Sequence, residues 1–241
     1  MSDLVNYEVV DTNQPAPPPA PQPAPPQAKI VDLPGDSLDY ELLFMAAASI
    51  KHVPGAICEI GTRRGGSLRF IIDGLLSVDD VNRNVVCIDP YGNIEYASGE
   101  NEIIRQDYTN DMRNESLPNI YTYLQGRPVN VVFMCIEDTE FFKRFGDGVP
   151  FYQQYKEVIN QYALVFFDGP HDTPSLLKEL EFFYPRSVHG TQFIFDDVAL
   201  YPHQKIHEDL LAHGFELAQK GTMGRKLRYV KVAGAKDGNI I

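Results

Sequence analysis

The sequence predicts an α/β protein built on a doubly wound, mostly parallel sheet, and three observations carry that prediction. Two short apolar runs, Ala163-Leu164-Val165-Phe166-Phe167 and Thr191-Gln192-Phe193-Ile194-Phe195, end in carboxylates, Asp168 and Asp196-Asp197. A parallel strand buried on both faces reads as such a run, and ligands of open α/β sheets gather beyond its carboxyl end. Runs of this kind alternate with stretches of helical period through most of the chain. Near the carboxyl end, Phe215–Gln219 and Lys226–Val232 are separated by a turn containing Gly221-Thr222-Met223-Gly224. So short a connection forces antiparallel pairing, and the sheet ends in a hairpin.

Composition bounds the rest. With 241 residues, 44% of them apolar, the chain can bury one substantial core. No stretch approaches the roughly 18 consecutive apolar residues of a membrane span, and the acidic, polar amino terminus lacks the pattern of an export leader. A net charge of −12 argues against general nucleic-acid binding, which needs clustered Lys and Arg. Cys58, Cys87 and Cys135 each fall in an expected buried strand, and an odd number without framework spacing reads as reduced core thiols. A cytoplasmic location, or that of a host cytoplasm, fits best.

From Asn13 to Gln27 the chain is almost entirely Pro, Ala and Gln, so residues 1–29 read as a disordered tail and 30–241 as one domain. A spacer is favoured over a partner-binding ligand, because no Lys or Arg precedes Lys29. After Pro34-Gly35, Asp36 or Ser37 caps a helix that turns Leu38, Leu42, Leu43, Met45, Ala46 and Ala47 inward. Strands are expected at Ala56–Ile60, Val85–Asp89, Val129–Ile136, Ala163–Asp168 and Thr191–Asp196. Helices are expected at Gly66–Leu76, Asn101–Gln125, Thr139–Phe145, Tyr152–Gln161, Pro174–Phe183 and His203–Ala212.

The first strand runs into Glu59-Ile60-Gly61-Thr62-Arg63-Arg64-Gly65-Gly66-Ser67 and then an amphipathic helix. Glycines there let a ligand approach the backbone, and free amides at a helix start suit a carboxylate or phosphate. Asp89, at the end of the second strand, is placed to accept from both hydroxyls of a ribose, or simply to open the Asp89-Pro90 turn. Asp138 either accepts from an exocyclic adenine amine or caps the next helix. Asp168, Asp196 and Asp197 meet at one sheet edge, an arrangement unfavourable without a cation, so a hard divalent metal is the first inference.

In the order Glu59-Ile60-Gly61-Thr62-Arg63-Arg64-Gly65-Gly66-Ser67, Cys87-Ile88-Asp89-Pro90, Phe167-Asp168-Gly169-Pro170-His171 and Phe195-Asp196-Asp197, the chain resembles the class I S-adenosylmethionine-dependent methyltransferases. Within them it is most similar to metal-dependent macrocin-type sugar O-methyltransferases and cephalosporin-hydroxylase-like proteins, over roughly Ala56 to Val232. The resemblance implies a Rossmann-like seven-stranded sheet in order 3-2-1-4-5-7-6, the last strand antiparallel, with helices on both faces. It implies S-adenosylmethionine with its methionine part against Glu59, Gly61, Thr62 and Ser67 and the glycine turn Gly65-Gly66, its ribose on Asp89 and its adenine by Asp138 and Thr139. It further implies Mg²⁺ or another divalent cation on Asp168, Asp196 and Asp197. Two segments depart from the family pattern: Gly190-Thr191 lacks a second glycine, and Phe151-Tyr152-Gln153-Gln154-Tyr155 has no counterpart.

The expected chemistry is methyl transfer to a hydroxyl of a small molecule or sugar, with the metal stabilising the alkoxide. His171, three residues past Asp168, is expected to be the general base, with Asp168 beside it. Two other classes stay open at this point. Tyr152 and Lys156 have the Tyr-x-x-x-Lys spacing of NAD-dependent short-chain dehydrogenases, but on an expected helix they read as ordinary neighbours. Alternatively the fold is a non-catalytic binding module, with the Pro-rich tail docking a partner. His203 and His207 read as a solvated helix face, Arg63 and Arg64 are unassigned, and homo-oligomerisation is left open by the sequence.

Overall fold

The computed structural model describes residues 31–105 and 108–232. The Pro-rich tail expected over 1–29 lies outside them. In chain order the elements are α1 (Tyr40–Ser49), β1 (Ala56–Ile60), α2 (Gly66–Ser77), β2 (Asn84–Ile88), β3 (Glu95–Gly99), β4 (Glu102–Arg105), α3 (Asn110–Leu124), β5 (Asn130–Met134) and α4 (Asp138–Arg144). There follow β6 (Val149–Tyr152), β7 (Lys156–Ile159), β8 (Tyr162–Phe167), α5 (Thr173–Phe183), β9 (Ser187–Phe195), α6 (His203–Ala212), β10 (Phe215–Lys220) and β11 (Leu227–Lys231).

Seven strands form one sheet in the order β10-β11-β9-β8-β1-β2-β5. Numbered along the chain, these seven run 3-2-1-4-5-7-6 from the other edge, as expected. Strands β5, β2, β1, β8 and β9 pair in parallel, whereas β11 is antiparallel to both β9 and β10. Every residue of β1, β2 and β8 is buried, which is why they read as short runs that are apolar but for Glu59 and Asn84. Alternate side chains serve opposite cores: Ile57 packs with α1 and α2 residues, Cys58 and Ile60 with Phe167, Phe183 and Phe193. All parallel carboxyl ends therefore open on one edge.

Four local expectations are corrected. The helix expected over Tyr152–Gln161 is the hairpin β6–β7, whose Val149 and Phe151 are buried while Pro150 and Tyr152 are not. That two-residue period outweighs the helical spacing of its tyrosines. The helix expected from Asn101 starts only at Asn110, and the residues before it form the hairpin β3–β4 with Asn101 at φ 62 in its tight turn. Helix α1 begins after Asp39, whose carboxylate caps no helix amide but accepts from the Met223 and Arg225 amides and the Thr222 hydroxyl. Cys135 is exposed beyond the end of edge strand β5, while Cys58 and Cys87 are buried free thiols as expected.

Candidate active site

The site begins where β1 ends. Gly61 has φ 88, and a Cβ there would lie 2.0 Å from the Asp168 carbonyl oxygen, so the ends of β1 and β8 run too close for any side chain. Gly66 is required for a different reason, since its Cβ would meet Gly35 Cα at 2.4 Å where the 31–38 segment crosses the start of α2. No side chain caps α2, leaving its first amides to a ligand.

Asp89 ties the first two loops together. One carboxylate oxygen accepts from the Arg63 amide at 2.7 Å and the other from the Tyr91 amide at 3.0 Å, while the Tyr91 hydroxyl donates to the Arg63 carbonyl at 2.7 Å. Burial raises the Asp89 pKa, and the two amides oppose that rise. Glu59 stands one layer deeper, with Oε1 accepting from the Ser67 hydroxyl at 2.6 Å and Oε2 buried without a partner. Burial pushes its pKa up to about 7, against the hydrogen bond from the Ser67 hydroxyl.

A cavity of about 470 Å³ covers this edge, within the usual range for a small-molecule site. Its wall includes Gly61, Thr62, Gly66, Ser67, Asp89, Asp138 and Thr139 on one side and Asp168, His171, Asp196 and Asp197 on the other. Glu59 and Gly65 do not reach it: Glu59 lies behind Ser67, and Gly65 packs on Ile120. Three further elements complete the wall. Asp36 and Ser37 cross the opening, with Asp36 paired to Arg63 at 2.9 Å. Tyr96, Ala97 and Ser98 of β3 form a further side, held by the His171 amide on the Ala97 carbonyl at 2.9 Å. Glu100 at the β3–β4 turn accepts from the Thr173 amide and hydroxyl at 2.9 and 3.0 Å. Arg225 is the third.

The acids do converge, but two of them already have cations. Asp196 Oδ2 accepts from the buried Lys226 ammonium at 2.8 Å, and Oδ1 accepts from the Ser37 hydroxyl at 3.0 Å and the Asp197 amide at 2.7 Å. Asp197, at φ 48, is ion-paired with Arg225. Asp168 keeps the freest carboxylate, its pKa raised by burial and then by the Asp196 charge, with Lys226 pulling the other way. The metal expected from the sequence does not fit this donor set. Both Asp196 oxygens are already engaged, Oδ2 by a buried ammonium, the positive charge facing Asp196 and Asp197 comes from the chain itself, and among the described residues no group of three or more His, Cys, Asp or Glu is arranged to hold an ion.

His171 Nε2 lies 3.9 Å from Asp168 Oδ1 and has no hydrogen-bond partner. Burial lowers its pKa below the imidazole norm, so the ring is neutral at physiological pH. Two other side-chain pairs lie away from this wall. Tyr152 and Lys156 sit opposite each other on the β6–β7 hairpin, with Tyr152 72% exposed, and neither lines the cavity. His203 and His207 do not form a solvated face: the Tyr229 hydroxyl lies 3.0 Å from a ring nitrogen of each. Among the described residues no helix is long and apolar enough to cross a membrane.

The sheet order with its reversed final strand, the glycine turn after β1 and the acid after β2 define the Rossmann-like methyltransferase fold of class I. A family model described as a methyltransferase domain matches residues 58–198, and the chain belongs to that family. Solved structures share the architecture. The O-methyltransferase NovP is 17% identical over 80% of this chain and 79% of its own, with a TM-score of 0.55. The calicheamicin methyltransferase CalS11 is 15% identical over 81% and 79%, with a TM-score of 0.58. TomG, an O-methyltransferase of tomaymycin synthesis from Streptomyces achromogenes solved in complex with SAM, is 15% identical over 83% and 82%, with a TM-score of 0.54. At these identities the likeness is one of fold. No curated protein matches the sequence significantly.

Proposed function

We propose that this methyltransferase moves a methyl group from S-adenosylmethionine to a hydroxyl oxygen of a small molecule or sugar. The observation that carries the reading is the shared cavity, in which the Gly61–Asp89 crevice opens directly onto Asp168 and His171. When bound, S-adenosylmethionine supplies an electrophilic methyl group and leaves as S-adenosylhomocysteine. Asp89 accepts from the ribose hydroxyls while keeping its two backbone amides, since each carboxylate oxygen can take two hydrogen bonds. Gly61 and Ser67 admit the amino-acid part to the start of α2, with Glu59 fixing the Ser67 hydroxyl from behind. Asp138 and Thr139 border the adenine.

His171 Nε2, neutral and unpartnered, takes the acceptor's hydroxyl proton as the oxygen attacks, and Asp168 stabilises the resulting imidazolium. Mutual orientation of the two substrates in one enclosed cavity supplies much of the remaining acceleration. Tyr96 and Tyr108, which meet edge to face at 5.6 Å, offer the acceptor an aromatic wall.

Mass spectrometry of the purified protein for retained S-adenosylmethionine or S-adenosylhomocysteine tests the cofactor, together with melting shifts induced by S-adenosylhomocysteine and by NAD. Stabilisation by S-adenosylhomocysteine alone, followed by labelled methyl transfer to hydroxylated acceptors, is the expected result. Stabilisation by NAD alone overturns it. Cofactor binding without transfer to any hydroxyl leaves the binding-module reading instead.

A further inference from the structure

The strand reversal that ends the sheet has a chemical result. Because β11 is antiparallel to β9 and their pairing ends with Leu227 opposite Phe195, the same register brings the doublet Arg225-Lys226 just before β11 opposite Asp196-Asp197 just after β9. Two cations thus face two acids in register, Lys226 on Asp196 and Arg225 on Asp197. Lys226 is the buried one, with a fully enclosed side chain.

All three donors of that ammonium are used. They go to Asp196 Oδ2 at 2.8 Å, the Ser37 hydroxyl at 2.7 Å and the Leu38 carbonyl at 2.7 Å. Ser37 passes the constraint on by donating to the other Asp196 oxygen at 3.0 Å. The rings of Tyr40 and Phe166 stand 4.8 and 5.6 Å from the nitrogen and stabilise its charge further. A divalent ion on Asp196 would have to displace a saturated, buried ammonium or share its carboxylate with one, and like charge in a poorly solvated site opposes both.

We propose that Lys226 is the resident cation of this acid cluster and takes the charge-balancing place of a divalent metal, so that the site works without one. The pairing holds Asp196 beside Asp168 at a tolerable cost and seats the 31–38 segment over the cavity through Ser37 and Leu38. Acceptor activation then falls to Asp168 and His171, a consequence that rests on the methyl-transfer reading, whereas the exclusion of metal does not.

The test is a Mn²⁺ titration of the wild-type protein followed by electron paramagnetic resonance, with parallel melting curves in Mg²⁺, Mn²⁺, Ca²⁺ and chelator. The expected result is no saturable site at millimolar ion and no melting shift. Lys226→Ala is expected to melt well below wild type and to regain part of the loss when Mn²⁺ is added. The double variant Lys226→Ala/Asp196→Asn should melt higher than Lys226→Ala and ignore Mn²⁺. Wild-type Mn²⁺ binding that disappears in Asp168→Asn overturns the proposal, as does a Lys226→Ala protein that melts like wild type. Should Lys226→Ala fail to fold, the wild-type titration decides alone. A protein that ignores both metal and S-adenosylhomocysteine would sink the transferase reading and leave this one standing.

Discussion

Glu59→Gln isolates one buried charge whose cost can be worked out. The Glu59 carboxyl is fully enclosed, has only Oε1 matched by the Ser67 hydroxyl, and is driven by burial from the 4.5 of a free glutamate to about 7. An acid that holds its proton more tightly folded than unfolded favours the fold below pH 4.5, and that advantage is lost as pH rises through about 7. Each tenfold in proton affinity is worth about 1.4 kcal/mol, so between pH 5 and pH 8 wild type should lose roughly 2–3 kcal/mol through this group. Glutamine cannot ionise and removes that loss. It also puts an amide N–H pair where Oε2 has no partner, at a pH-independent cost of about 1–3 kcal/mol. Urea unfolding of both proteins at the two pH values reads the difference, in which every other titrating group cancels. Wild type should be the more stable at pH 5, with the gap closing or reversing at pH 8. A wild-type-to-variant difference that stays constant across that range refutes the reasoning.

Three further outcomes follow from the cavity. Asp89→Asn should weaken S-adenosylhomocysteine binding on the order of tenfold to a hundredfold in calorimetry, the worth of a charged hydrogen bond, and unchanged affinity would remove Asp89 from the ribose. His171→Ala should lower kcat by about 10²–10⁴ while S-adenosylhomocysteine still binds, and wild-type turnover across pH 6–9 would remove it from the chemistry. Gly61→Ala, meeting the Asp168 carbonyl with φ at 88, should cost on the order of 3 kcal/mol in denaturant unfolding and abolish cofactor binding; near-wild-type values would contradict the close approach of β1 and β8.

What was legible in the sequence was whatever burial writes directly. Strands β1, β2 and β8 are buried on both faces and apolar except for Glu59 and Asn84, and the short Gly-rich link between β10 and β11 admits one pairing. The two small hairpins were not legible. Strands β3 and β7 lie largely outside the core, so their side chains carry little apolar signal and local helical spacing reads as strongly as strand alternation. That mattered for function, because the β3–β4 hairpin supplies Tyr96 and Ala97 to the cavity wall and is anchored by contacts as distant in sequence as Glu100 and Thr173.

The acid edge shows the limit of motif reading most clearly. Asp168, Asp196 and Asp197 were found because carboxylates after buried strands stand out, and electrostatics correctly demanded a compensating cation. Its identity depended on register, which no spacing between motifs reveals. Arg225-Lys226 lies about thirty residues on, at the end of a hairpin turn, and a lysine there is ordinarily solvated. Only the antiparallel ladder sets Lys226 against Asp196, and only the 31–38 segment, through Ser37 and Leu38, takes its remaining donors out of water. A sequence in which an acid doublet closes one strand and a basic doublet opens its antiparallel neighbour should therefore be read as internally compensated before a metal is invoked. In this chain that rule would have assigned the two cations correctly, and it would have left Asp168 and His171 as the pair free to act on a substrate.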